Sequence, residues 1–151
     1  LMATPVKKGP SKEFKLEKPA IGKGSYGKVY KATWKRHGNE KVVAVKIFSL
    51  DVSPAKSAFE AESRMSVLLQ GNPHCVSILK AYISNNKGYI VMDLFHGDLM
   101  DIQESLSYNE PKSCKIFFNV CSAIKLLHQK RIVHLDIKPD NILIDENENP
   151  F

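Results

Sequence analysis

The chain has 151 residues, 43% hydrophobic and 25% charged, and its 22 Lys and Arg outweigh 16 Asp and Glu to give +6. That length holds one core or two small lobes and excludes several domains, and no apolar run is long enough to span a membrane. The basic residues are spread out, with no stripe alternating with aromatics. This argues against nucleic acid as partner and suits small polyanionic ligands or plain solubility. Cys75, Cys114 and Cys121 are odd in number and lack C-x-x-C spacing, so buried thiols in a reducing, intracellular setting, cytoplasmic or nuclear, are expected. No N-x-S/T site argues for secretion, and the start at Leu1 rather than Met is what an excised fragment would show.

Residues 1–12, rich in Lys, Pro and Gly, read as a mobile tail. From Phe14 the pattern is that of strands: Phe14-Lys15-Leu16, a glycine loop, then Val29 to Trp34. After the polar turn His37-Gly38-Asn39-Glu40 comes the β-branched run Val42 to Ile47, completing an antiparallel meander. Ser53-Pro54 starts a helix and Gly71 stops it, with Ala58, Glu62, Met65 and Leu69 on one stripe. Two further strands, 76–83 and 88–92, flank the polar turn Ser84-Asn85-Asn86-Lys87. A connector over 93–98 leads to a brief helix over 99–106 and a longer one from Pro111 to about Lys130. In the longer helix Phe117, Val120, Ile124 and Leu127 line one face, and Ile116, Ala123 and Leu126 widen it. So broad an apolar face expects burial against more protein than this chain supplies.

Three stretches carry chemistry. The loop Ile21-Gly22-Lys23-Gly24-Ser25-Tyr26-Gly27-Lys28-Val29 fits G-x-G-x-x-G-x-V between two strands. A tight hairpin alone would also use such glycines, but absent side chains let backbone N–H groups approach phosphate oxygens. Lys46 ends an apolar strand, where an ammonium is costly unless it meets an anion. Of the two glutamates on the following helix, Glu62 falls within the apolar stripe at 100° per residue, whereas Glu60 points to solvent, so Glu62 is the chosen partner. The third stretch, His134-Leu135-Asp136-Ile137-Lys138-Pro139-Asp140-Asn141, is rich in turn formers.

That third stretch closely resembles the catalytic loop of protein kinases, H-R-D-x-x-x-x-N, and the strand–loop–strand form of the glycine motif and Ala44-Val45-Lys46 agree with the same family. The resemblance implies an α+β protein-kinase-like fold: a tail over 1–12, a five-stranded antiparallel N-lobe with one helix over 13–92, a hinge over 93–98, and the start of a mainly helical C-lobe over 99–151. It implies Asp136 as catalytic base, Lys138 as the neutraliser of the moving phosphate in serine/threonine kinases, Asn141 as a Mg2+ ligand, and Lys46, paired with Glu62, on the ATP α- and β-phosphates. ATP would meet the loop residues Ile21, Gly22, Lys23, Gly24, Ser25, Tyr26, Gly27, Lys28 and Val29. It would also meet Ala44 and Leu143 around the purine, Met92 at the back of the pocket, backbone of Asp93 and Phe95, and Asp98 at the ribose.

The same resemblance implies that D-F-G, the activation loop and A-P-E follow, so the chain as it stands should transfer phosphate poorly. The activity implied is transfer of the γ-phosphoryl of Mg-ATP to protein Ser/Thr hydroxyls, with a non-catalytic nucleotide-binding scaffold as the alternative. Ser66, four residues after Glu62, departs from the large apolar residue usual in the family. Leu135 replaces the usual Arg, which implies little dependence on activation-loop phosphorylation. Ser25 and Tyr26 resemble a regulatory hydroxyl pair, though an aromatic cap beside a loop serine is the plainer reading.

Overall fold

The computed structural model describes residues 13–36, 38–106 and 109–151; the expected tail over 1–12 and His37 of the expected turn lie outside the described residues. The chain forms two compact units. One runs to Gly71 and resumes over Ser77–Leu94, and the other comprises Asn72–Val76 and Phe95–Phe151. Residues 72–76, expected with the first lobe, therefore group with the second. Gly71, at φ 78°, turns the chain out of the helix there.

The first unit is one antiparallel sheet and a helix. Its strands are β1 (Phe14–Leu16), β2 (Gly22–Lys23), β3 (Gly27–Arg36), β4 (Asn39–Ser49), β5 (Ile78–Ser84) and β6 (Lys87–Asp93). The order is β1-β3-β4-β6-β5, with β2 also on β3. The expected five strands thus become six segments, because residues 17–21 break the first rank: β1 pairs Leu16 with Ala32, and β2 resumes with Gly22 opposite Val29. The hairpin strands run further into their turns than polarity suggests. β3 and β4 stay paired to Arg36 opposite Asn39, and β5 and β6 to Ser84 opposite Lys87. Asn85 and Asn86, at φ 49° and 57°, supply the positive φ that a two-residue hairpin loop demands.

Helix α1 (Ser53–Leu68) begins after Val52 with Pro in its first turn, where a missing N–H costs nothing. Of the expected stripe, Ala58 packs against the sheet core, but Met65 is 38% exposed, and the buried residues among the described side chains of the helix are Ala55 and Phe59. The inner face is set by what the sheet offers. Phe59 packs with Phe48, Leu50 and Ile90, its ring 5.7 Å from that of Phe48 and edge-on. Gly88 makes room, since a Cβ there would lie 2.5 Å from the Phe59 ring. The opposite face of the sheet has its own core of Ala32, Trp34, Val43, Val45, Tyr82 and Val91.

The second unit holds β7 (Gly97–Asp98), α2 (Gln103–Leu106), α3 (Glu110–Gln129) and β8 (Leu143–Ile144), with β7 and β8 paired. The brief helix is shorter than expected, because Asp98 and Asp101 fold residues 98–101 into a turn through side-chain bonds to backbone N–H groups. The long helix is capped by the Asn109 side chain, which accepts from Lys112 N. Ile116 and Leu127 are its buried residues, whereas Phe117 and Phe118 are each 71% exposed. Cys114 and Cys121, expected as buried thiols, are exposed on this helix, and only Cys75 is partly buried. Among the described residues no helix is long and apolar enough to cross a membrane.

Candidate functional site

In the first unit, sheet register sets the site. Val29 stands opposite Lys46, and Ala44 opposite Met92. Opposed residues share a face and alternate positions return to it, so Val29, Ala44, Lys46 and Met92 all lie on the side that α1 packs against. Lys46 Nζ is 2.6 Å from Glu62 Oε1, with the two side chains 21% and 39% exposed. The ammonium also lies 5.0 Å from the Phe48 ring centre, a contact the sequence reading missed although Phe48 is two residues on and faces the same way.

The glycine loop arches over that ammonium. Gly24 N donates to Gly27 O at 2.9 Å, and a Cβ on Gly24 would lie 3.8 Å from Lys46 Nζ. Gly27 admits no side chain, because its Cβ would meet Ile47 O at 2.8 Å. Ile21 and Tyr26 are exposed at 55% and 51%. Lys23 and Lys28 oppose each other, one position out of step with Gly22 and Val29, so they project from the other face and can serve this side only through backbone. Asp93 likewise turns away: its carboxylate accepts from Lys41 Nζ at 2.6 Å, leaving backbone groups for a ligand.

In the second unit, Asp136, Lys138 and Asn141 come together. Asn141 Nδ2 donates to Asp136 Oδ2 at 2.8 Å and to Asp136 O at 2.9 Å, and Lys138 Nζ lies 3.4 Å from Asp136 Oδ2. Asp136 N donates to His134 Nδ1 at 3.3 Å, a supporting role for His134 that the motif alone did not assign. A 3-10 turn over Pro139–Asn141 carries the amide back to the carboxylate, and β8 then anchors the stretch with Ile144 fully buried. Leu135 sits at φ 65° and is 90% exposed, a conformation uncommon for a bulky side chain.

The Asn141 amide holds the Asp136 carboxyl below the ordinary aspartate range, with Lys138 adding to the effect. A depressed carboxyl is ionised at every pH above its folded value, so Asp136 is a carboxylate, ready to accept a proton, throughout the neutral range. Carbon NMR should find its titration at lower pH than that of a free aspartate, and Asn141→Ala should move it upward. An unchanged midpoint would contradict the hydrogen bond as cause.

Leu143 pairs with Asp98 across β7 and β8. Asp98, expected at the ribose, has its Oδ1 taken by the N–H groups of Met100 and Asp101. Phe95 packs its ring 5.0 Å from that of Phe151.

Among known proteins, residues 16–150 match the family described as "Protein kinase domain". The chain is 34% identical over 142 residues to calcium-dependent protein kinase 5 of Plasmodium berghei (strain Anka), covering 91% of this chain and 25% of that protein. It is 33% identical over 132 residues to serine/threonine-protein kinase fused of Drosophila melanogaster, covering 84% and 16%. Against protein kinase C epsilon type of Oryctolagus cuniculus it is 33% identical over 149 residues, covering 93% and 20%. The chain therefore spans a quarter or less of the length of these relatives.

Proposed function

The chain belongs to the protein kinase family, and from that premise we propose that the whole protein is a serine/threonine kinase, moving the γ-phosphoryl group of ATP to a protein hydroxyl with Mg2+ as cofactor. The observation that carries this reading is the Lys46–Glu62 ion pair beneath Gly24: an ammonium held by one carboxylate, next to backbone free of side chains, suits the α- and β-phosphates. Asn141 spends its NH2 on Asp136, so its amide oxygen is the atom to offer a magnesium ion. The ion, when bound, neutralises phosphate charge. Asp136 takes the proton of the attacking hydroxyl as the new P–O bond forms, the bond to ADP breaks, and Lys138 faces the charge on the transferring group. Lys138 and the relative named a serine/threonine kinase favour an alcohol over a phenol as acceptor. The three free cysteines, two of them exposed, suit an intracellular setting.

The test is to incubate the whole protein with Mg2+ and γ-labelled ATP over a mixture of Ser-, Thr- and Tyr-containing peptides. Label on Ser or Thr is expected. Nucleotide binding without transfer would replace the enzyme with a scaffold, and label confined to Tyr would overturn the acceptor class.

A further inference from the structure

The glycine loop has a second basic surface, on the side away from Lys46. Lys23 stands directly opposite Lys28, and Lys28 in turn opposite Ile47, whereas Lys46 shares its face with Val29. Lys18, Lys23, Lys28, Tyr30 and the segment 19–22 line an open groove of about 800 Å3 there. Like charges directly opposite each other in a ladder are destabilising. Four other lysines of this unit are answered, Lys31 by Glu17, Lys35 by Glu40, Lys41 by Asp93 and Lys80 by Glu13, whereas Lys15, Lys56 and Lys87, scattered elsewhere in it, have no carboxylate at ion-pair distance among the described residues. Among the described residues no carboxylate lies within ion-pair distance of Lys18, Lys23 or Lys28, and Glu17, the nearest acid in sequence, is spent on Lys31 at 3.4 Å. Local choices that oppose stability concentrate where function requires them.

We propose that this groove binds an acidic peptide segment of a partner protein, one anionic group bridging the Lys23 and Lys28 ammoniums and a second meeting Lys18. Pro19, Ala20 and Tyr30 supply the apolar wall for a side chain between the anions. Nucleic acid fits less well, because the groove offers one aromatic ring rather than a track of stacking rings. Carboxylate and phosphate ester share the recognising chemistry. The inference stands apart from phosphoryl transfer and does not need it.

Fluorescence anisotropy on the whole protein tests it, using a labelled glutamate-rich peptide with a central leucine, the same peptide with one phosphoserine, and a glutamine-substituted control. Both anionic peptides should bind, the control should not, and the tighter of the two identifies the anion. Binding should persist under saturating Mg-ATP. The double change Lys23→Gln and Lys28→Gln should weaken it at least about tenfold, as expected for losing two charge-assisted contacts. The same variant should melt no lower than wild type, since it relieves a like-charge pair, and Lys18→Gln should weaken binding less. Unchanged affinity in the double variant, displacement by ATP, or equal binding of a labelled thymidine oligonucleotide would each overturn the proposal.

Discussion

Asp136→Asn in the whole protein should lower the phosphoryl-transfer rate by about 10²–10⁴-fold, the range that a positioned general base contributes, while leaving ATP affinity and melting temperature close to wild type. The change is nearly isosteric. An asparagine oxygen still accepts from Asn141, so the loop that now holds Nδ2 at 2.8 Å from the carboxylate retains its anchor. What disappears is the capacity to take up a proton. Exposure of the side chain, 64% of its area, means that removing the charge leaves no buried group stranded. A rate within a few fold of wild type would reassign the base, and a fall in ATP affinity of the same size would move the role from chemistry to binding.

Much of the site was legible because it depends on local periodicity. Glu62 could be chosen over Glu60 from helix phase alone, and the strand runs placed Val29, Ala44 and Lys46 in a ladder whose alternation sets their common face. The turn at Asn85-Asn86 was legible from its polar residues, and asparagine tolerates the positive φ it adopts there. Features decided by tertiary partners were not. The stripe through Ala58, Met65 and Leu69 missed Ala55 and Phe59, because a helix of modest amphipathicity is oriented by the pocket it meets, here the space over Gly88. Phe117 lies on an apolar face by spacing and yet is exposed, so periodicity names a face without saying what covers it. Asp98 looked like a free acceptor before a turn at Met100 and Asp101 claimed one of its oxygens.

Phe59→Ala should cost about 3–5 kcal/mol of stability, the usual loss for a buried phenyl truncated in a core, against a total of about 5–15 kcal/mol for a domain. The ring is 2% exposed, meets Phe48 edge-on, and fills the space that glycine leaves at position 88. It also belongs to the argument about the site. Glu62 follows Phe59 by three residues and so lies on the same side of α1, which makes the phenyl the nearest buried anchor for the carboxylate that holds Lys46. Chemical denaturation should therefore show a lower midpoint at unchanged slope, and ATP affinity, measured where the variant is still folded, should fall as well. Phe59→Leu keeps most of the apolar volume and should recover both in parallel. If the alanine variant loses stability with nucleotide affinity intact, the ring supports the core without positioning Glu62; if the loss is under about 1 kcal/mol, the size of an ordinary surface change, α1 is held to the sheet by other contacts.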